Sequence, residues 1–277
     1  MKTRLILDVV IGALGAVALL AITFLPSAAV QSSRSMQHSE SGGGIGTLDF
    51  ADTVFLRSPA SDAEVESYVE GRASGYRAYG DYGDVIAFQR IKGSAIILHR
   101  AMVHIQANTV TGGWDVPEVE PLAEGVDWER QGGGSGSKGF VSGQKLVLHR
   151  VGPASNSYAI EFVWFPSGKS GFLTKGDNPK TNSRFDQATG SGIADGQPIS
   201  GSALVGIAGG ELPCVGVVRV PAISAAANPA TDSTRACAVG ILFLALLIPL
   251  LIDFSHILMK RRREKRAGNG SPLQPVT

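Results

Sequence analysis

Two long apolar runs lie near the two ends of the chain. Residues 9–25 and 236–252 contain no charged side chain, and each is close to the shortest length that crosses a hydrocarbon core of ~30 Å. Because lipid offers the backbone no hydrogen-bonding partner, a run that lies in a bilayer must be helical. We therefore predict transmembrane helices over residues 5–26 and 236–259.

The segment between these runs has a different pattern. Short stretches rich in β-branched and aromatic residues alternate with glycine-rich turns, and they occupy residues 84–88, 95–98, 145–148, 158–165 and 216–220. Strand-length runs separated by turn signals are typical of all-β domains. We predict a mainly β domain over residues 30–233, flanked by an N-terminal and a C-terminal transmembrane helix.

Local signals refine this picture at three places. A helix is predicted over residues 61–70, because Ser61 and Glu64 have the spacing of a capping box. The glycine-rich stretches at residues 41–44 and 131–137 predict flexible loops.

Charged residues predict how the chain is oriented. Lys2 and Arg4 precede the first apolar run, and a cluster of basic residues follows the second at residues 260–266. Basic residues beside transmembrane helices favour the cytoplasmic side. We predict that both termini are cytoplasmic, with residues 260–277 as a basic tail. The protein would then be a multi-pass protein of the cell membrane, with its β domain outside.

The same charges, together with the histidines, limit the chemistry. Residues 26–235 carry 21 acidic and 17 basic side chains, a net charge of −4, so the domain has no basic surface of the kind that binds nucleic acid. The five histidines are widely spaced and show no metal-ligand pattern. We predict no metal, no cofactor and no nucleic-acid partner.

Several short motifs follow one another along the β domain. In chain order they are Ser33-Arg34-Ser35-Met36, Gly83-Asp84, Leu98-His99-Arg100, Thr174-Lys175-Gly176-Asp177-Asn178 with Asp186 after it, and Leu212-Pro213-Cys214-Val215-Gly216. Taken singly, each has an ordinary explanation as a polar linker, a strand histidine or a turn. Their order along the chain is the specific feature.

In that order, the motifs resemble those of type I signal peptidases, in the archaeal and endoplasmic-reticulum branch of the family. The resemblance spans nearly the whole β domain. It implies a membrane-bound serine endopeptidase, with a signal-peptidase-like β catalytic domain, that cleaves signal peptides from preproteins during protein secretion. It also implies an archaeal host, with lipid bilayer and signal-peptide-bearing preproteins as partners.

The resemblance also assigns roles to four residues. Ser35 corresponds to the family's nucleophile and His99 to its general base, while Asp177 and Asp186 correspond to aspartates of which one or both support the histidine. These roles are chemically consistent, because a serine hydroxyl needs a neighbouring base to take its proton. Imidazole can accept that proton near neutral pH and return it to the leaving amine.

The chain departs from the family pattern at four places. Arg34 stands where the family commonly has a small residue, and the interval between Asp177 and Asp186 is longer than the family's. Met36 is followed by Gln37-His38-Ser39, where the family usually has Glu-Pro-Thr. Residues 109–170 resemble an insertion, and they contain His149, a rival candidate for the base. Lys175 could be mistaken for the lysine base of the bacterial branch, but its place in the motif favours a structural role.

Two alternatives stay open. The first apolar run, followed by the small residues Ser27, Ala28 and Ala29, also fits a cleavable signal peptide; the resemblance favours a retained anchor. The second alternative is a catalytically degenerate member of the family, or a non-enzymatic, membrane-anchored β ectodomain that binds partners.

Overall fold

The computed structural model describes residues 10–15, 17–18, 21, 25, 27–39, 44–59, 61–90, 94–166, 168–220 and 232–268. Two compact units are distinguished along the chain. Thr23–Arg235 form one unit, and Met1–Ile22 with Ala236–Thr277 form the other. All the strands among the described residues belong to the first unit, so the prediction of a mainly β domain is confirmed.

A seven-stranded antiparallel sheet is the centre of this unit. Its strands are β1 (Ala28–Val30), β2 (Thr53–Arg57), β5 (Val85–Phe88), β6 (Ile97–Asn108), β7 (Gly113–Asp115), β11 (Gly171–Lys175) and β12 (Leu204–Leu212). They are arranged in the order β1-β2-β12-β5-β6-β11, and β7 pairs with the far end of β6. The long strand β6 therefore contacts three neighbours and links the sheet to the segment that follows it.

The predicted insertion contains a three-stranded sheet of its own. Strands β8 (Trp128–Gln131), β9 (Lys145–Val151) and β10 (Asn156–Glu161) pair in the order β10-β9-β8. One buried cluster joins this sheet to β6 and the short helix α1 (Tyr68–Ser74); it includes Tyr68, Met102, Ile105, Trp128, Leu146, Leu148, Tyr158 and Ile160. A further pair of two-residue strands, β3 (Arg77–Ala78) and β4 (Asp81–Tyr82), forms a small hairpin.

The predicted helix over residues 61–70 was wrong in its position. A 3-10 turn covers Asp62–Glu64, and Ser61 makes no side-chain capping bond. The capping box instead joins Ser67 and Glu70 at the start of α1, where each side chain accepts a hydrogen bond from the other residue's backbone N–H. Ser67 also donates to Glu118, so a tertiary contact favours the second of two possible caps.

The structure also differs from the prediction at two of the expected strands. The run at residues 216–220 is not a strand, because a 3-10 turn covers Val215–Val218 after Cys214, which has a left-handed backbone. The run at residues 158–165 stops being a strand at Glu161, and a 3-10 turn covers Phe162–Trp164. There the fully buried Phe162 stacks on Phe140 with ring centroids 4.5 Å apart, which turns the chain into the core.

The glycine-rich loop at residues 131–137 is more organised than predicted. The guanidinium of Arg130 lies 4.2 Å above the ring of Phe140. It donates hydrogen bonds to the main-chain carbonyls of Ser135, Gly136, Lys138 and Gly139. One arginine therefore satisfies the loop's carbonyls and holds it closed. Of the other predicted loop, residues 41–44, all but Gly44 lie outside the described residues.

The C-terminal helix α2 (Asp232–Gly268) includes residues 236–259, while residues 5–26 lie largely outside the described residues. No helix within the described ranges combines the length and apolarity needed to cross a membrane. The two transmembrane segments stay predictions.

Candidate active site

Ser35 lies in a short loop that follows β1. The loop is anchored on its N-terminal side, because the Gln31 N–H donates to the carbonyl of Asp52 and the Ala51 N–H donates to the carbonyl of Gln31. On the other side, Met36 is fully buried among Leu48 and the other apolar side chains beneath the sheet. The residue after the serine therefore acts as a hydrophobic anchor for the loop.

The loop that follows β11 holds the serine from the opposite side. The Asn178 N–H and the Asn182 side chain both donate to the carbonyl of Ser35, at 2.8 and 3.1 Å. The Asn178 side chain donates to the carbonyl of Arg34 at 2.9 Å. Gly176 permits this approach, since a Cβ there would lie 2.5 Å from the Ser35 carbonyl oxygen. The glycine and asparagine of Gly-Asp-Asn thus fix the backbone beneath the serine.

Three of the predicted site residues are connected by hydrogen bonds. Ser35 Oγ lies 2.8 Å from His99 Nε2, and His99 Nδ1 lies 2.6 Å from Asp186 Oδ2. The side chains of His99 and Asp186 are 4% and 2% exposed, so water does not separate them. A carboxylate at Nδ1 favours the tautomer in which Nε2 is unprotonated. In that tautomer Nε2 can accept the serine proton.

Two further donors reach the serine hydroxyl. Gln31 Nε2 lies 3.1 Å from Ser35 Oγ, and Ser33 Oγ lies 3.0 Å from it. Ser33 Oγ also accepts the Ser35 N–H at 3.3 Å. With two bonds accepted, Ser35 Oγ directs its proton towards His99. The sequence motifs did not identify Gln31 or Ser33 as donors to the Ser35 hydroxyl.

The serine opens into a groove of about 280 Å³ that is continuous with solvent. The apolar residues that line the groove are Val30, Ala95, Ile96, Ile97, Leu98 and Ile193. Its polar residues are Gln31, Ser32, Ser33, Arg34, Thr181 and Asn182, together with Ser35 and His99. A ligand in this groove would therefore meet apolar side chains beside the hydroxyl and hydrogen-bond donors around it.

Asp177 lies elsewhere and has another partner. Its Oδ1 accepts from Arg100 Nε at 2.9 Å and its Oδ2 accepts from Arg100 Nη2 at 2.6 Å, while His38 Nε2 lies 2.9 Å from Oδ2. Arg100 is fully buried, and its Nη1 also donates to the carbonyls of Tyr82 and Gly83. Burial by itself would raise the pKa of Asp177, but the Arg100 charge and the hydrogen bonds outweigh it. The pKa is held well below its usual range.

The separation of the two aspartates follows from strand geometry. His99 and Arg100 are consecutive residues of β6, and consecutive side chains of a strand point to opposite faces of the sheet. His99 therefore meets Asp186 on one face, and Arg100 meets Asp177 on the other. The two residues of the His-Arg motif therefore have different partners: His99 lies beside Asp186, and Arg100 lies beside Asp177.

The two rival bases have partners that do not include Ser35. His149, on β9, has Nδ1 2.9 Å from Ser157 Oγ and Nε2 3.8 Å from Glu129. Lys175 is buried; its Nζ donates to the Gly176 carbonyl at 2.8 Å and lies 4.3 Å above the ring of Tyr158. Burial lowers the pKa of Lys175 to about 8.

In the part of the chain that the structure describes, no group of three His, Cys, Asp or Glu side chains could hold a metal ion. Comparison with protein-family models, with curated proteins and with solved structures found no match for the chain. The geometry of the site and the order of the motifs are therefore the two observations that bear on function.

Proposed function

We propose that this protein is a membrane-anchored serine endopeptidase that removes signal peptides from exported preproteins. The observation that carries the proposal is the hydrogen-bonded series of Ser35, His99 and Asp186, with distances of 2.8 and 2.6 Å, at the edge of a solvent-open groove. A nucleophile, a base and a group that orients the base are the parts that serine hydrolysis needs.

The mechanism follows from these contacts. Ser35 Oγ attacks the scissile carbonyl while His99 Nε2 takes its proton, and His99 then returns that proton to the leaving amine. Asp186 stabilises the imidazolium that forms between the two steps. Water, activated by the same histidine, then hydrolyses the acyl-enzyme and restores the Ser35 hydroxyl.

The donors near Ser35 Oγ would stabilise the developing oxyanion. Gln31 Nε2 and the Ser33 hydroxyl already lie within 3.1 Å of Ser35 Oγ, and the Ser35 N–H points to the same region through its bond to Ser33. Loss of one such donor typically raises the barrier by ~3 kcal/mol. Both side chains are therefore part of the proposed machinery.

The substrate class is proposed from the motif order and from the position of the serine. The resemblance implies small residues at the −1 and −3 positions of the substrate, and the apolar residues that line the groove are compatible with small apolar side chains. Nine residues separate Pro26 from Ser35, and even fully extended they reach only ~30 Å. A serine tethered to a membrane helix in this way would stay close to the bilayer, where the cleavage site of a signal peptide emerges.

Membrane anchoring is part of the proposal. The uncharged runs at residues 9–25 and 236–252 would span the cell membrane, with both termini cytoplasmic and the β domain outside. Retention of the first helix is favoured over its removal by one further observation. Ala28 and Ala29, which a signal-peptide cut would detach from the domain, are buried in β1 and paired with β2.

The test is cleavage of a model preprotein by the full-length protein purified in detergent, with the product's new N-terminus read by mass spectrometry. We expect one cut after a small residue at the end of the signal peptide. Ser35→Ala and His99→Ala should abolish it, and His149→Ala, the matched histidine control, should not. A protein that binds the preprotein and leaves it intact would be the non-enzymatic or degenerate alternative, and the proposal would fail.

A further inference from the structure

Two further buried side chains, Thr174 and Gln187, are connected to Asp186 through a series of hydrogen bonds. Thr174 Oγ1 donates to Asp186 Oδ2 at 2.7 Å, the same oxygen that faces His99 Nδ1. Gln187 contacts Thr174 twice: its Oε1 accepts the Thr174 N–H at 2.9 Å, and its Nε2 lies 3.2 Å from Thr174 Oγ1. Thr174 and Gln187 are both completely buried, so no solvent molecule can take the place of either partner.

The direction of every hydrogen bond in this series is determined by one backbone group. The Thr174 N–H can only donate, so the Gln187 atom that faces it must be the amide oxygen, and the Gln187 NH₂ must face Thr174 Oγ1. Because Thr174 Oγ1 accepts from Gln187, its own proton is free to go to Asp186. Asp186 is thereby an acceptor for both Thr174 and His99, which leaves the His99 proton on Nδ1.

The backbone holds the same residues in register. Asp186 N–H donates to the carbonyl of Thr174 at 2.9 Å, and Thr174 lies on β11, which pairs with the strand that carries His99. Gln187 directly follows Asp186 in the chain. Asp186 and Gln187 are thus adjacent in the chain, and the side chains of both form hydrogen bonds with Thr174 of β11.

We propose that Thr174 and Gln187 are positioning residues that fix the orientation and the acceptor role of Asp186, and through it the tautomer of His99. The inference depends on the proposed function, since it assigns a role within that same site. Both residues are completely buried, and neither lines the groove beside Ser35. Their effect should appear in kcat rather than in KM, because the imidazolium that Asp186 stabilises exists only after proton transfer.

Three single substitutions test the proposal. Thr174→Val keeps the shape of the side chain but removes the hydroxyl, and Thr174→Ser keeps the hydroxyl and is the matched control. Gln187→Glu keeps the shape but can replace the NH₂ donor that faces Thr174 by a carboxylate acceptor. A hydrogen bond to a charged group typically changes an equilibrium by about tenfold to hundredfold. We expect Thr174→Val to lower kcat by about this factor with KM unchanged, and Thr174→Ser to stay within about threefold of wild type.

The Gln187→Glu variant has a signature that a merely structural role would not produce. Its new carboxyl group, when protonated, could donate to Thr174 as the amide does, whereas the ionised carboxylate would attract the Thr174 proton away from Asp186. Its kcat relative to wild type should therefore fall as pH rises, while that of Thr174→Val should be reduced equally at each pH. The variant that carries both changes should be no slower than Thr174→Val, since both break one series of contacts.

A second readout needs no turnover. The His99 Nδ1 proton, held by a short bond to a buried carboxylate, should give a sharp low-field NMR resonance in wild type and Thr174→Ser, assigned by its absence in His99→Ala. It should exchange rapidly in Thr174→Val and in Gln187→Glu at high pH. If the wild type does not cut the preprotein, the proposed function fails, and the resonance alone decides this inference. A resonance and a kcat that are unchanged in folded Thr174→Val and Gln187→Glu would overturn it.

Discussion

Replacing Asp177 by asparagine would separate the roles of the two aspartates. The substitution keeps the shape of the side chain but removes the negative charge that faces the fully buried guanidinium of Arg100. Removal of one partner from a buried ion pair leaves the other charge uncompensated and typically costs about 3–5 kcal/mol. For a unit of this size, each kcal/mol lowers the melting temperature by ~2–4 °C. We therefore expect Asp177→Asn to melt roughly 10 °C lower than wild type.

The matched control is Asp186→Asn, which makes the same chemical change beside a histidine and a threonine instead of an arginine. Loss of those hydrogen bonds should cost no more than about 1–3 kcal/mol of stability. Its effect on cleavage should be the larger one, about 10⁴-fold in kcat, because an amide at this position favours the wrong histidine tautomer. Urea unfolding and initial cleavage rates, measured on the same preparations, would give both comparisons.

The pH dependence of stability adds an independent check. The pKa of Asp177 is lower in the folded protein than the value of ~3.9 for an unfolded aspartate. The stability that Asp177 contributes is therefore present above about pH 4 and is lost as pH falls through the folded pKa. Asp177→Asn should lose less stability on acidification than wild type. If Asp177→Asn unfolds within about 1 kcal/mol of wild type at pH 7, the reasoning about the buried pair is refuted.

Three other predictions concern the same unit. Ser35→Ala and His99→Ala should each lower initial cleavage rates by about 10³-fold or more, and the double variant should be scarcely slower; full activity in His99→Ala with loss in His149→Ala would reverse the assignment of the base. Gly176→Ala places a Cβ 2.5 Å from the Ser35 carbonyl oxygen and should displace the serine. We expect kcat to fall by about 10²-fold while the variant still unfolds cooperatively. A kcat equal to that of wild type would contradict this. Burial raises the pKa of Glu118 to about 8, above the ~4.3 of an unfolded glutamate, so the stability it contributes is lost between about pH 4 and pH 8. Glu118→Gln should lose less unfolding free energy than wild type between pH 5 and pH 8.5, measured by urea unfolding at the two pH values. An equal loss in the variant and in wild type would contradict this prediction.

The sequence was sufficient for features that depend on near neighbours. The β-rich runs predicted strands at residues 84–88 and 145–148, where the structure has Val85–Phe88 and Lys145–Val151, because alternating and β-branched patterns are local properties. The pairing of Ser35 with His99 is not local. It came from the resemblance of the motif order to a known family, and the structure places the two side chains 2.8 Å apart. The errors at residues 61–70 and 216–220 were also local, since short capping and strand patterns recur and only packing selects among them.

Only the tertiary structure decided which groups meet. His99 and Asp186 are 87 positions apart, and nothing in the sequence distinguished Asp186 from Asp177 as the partner of the histidine. The alternation of His99 and Arg100 across the faces of β6 made that choice, because each face reaches only one of these two aspartates. In the sequence, Thr174 was only part of a motif and Gln187 belonged to none. Their role depends on the direction of buried hydrogen bonds, which exists only after the chain has folded and excluded water.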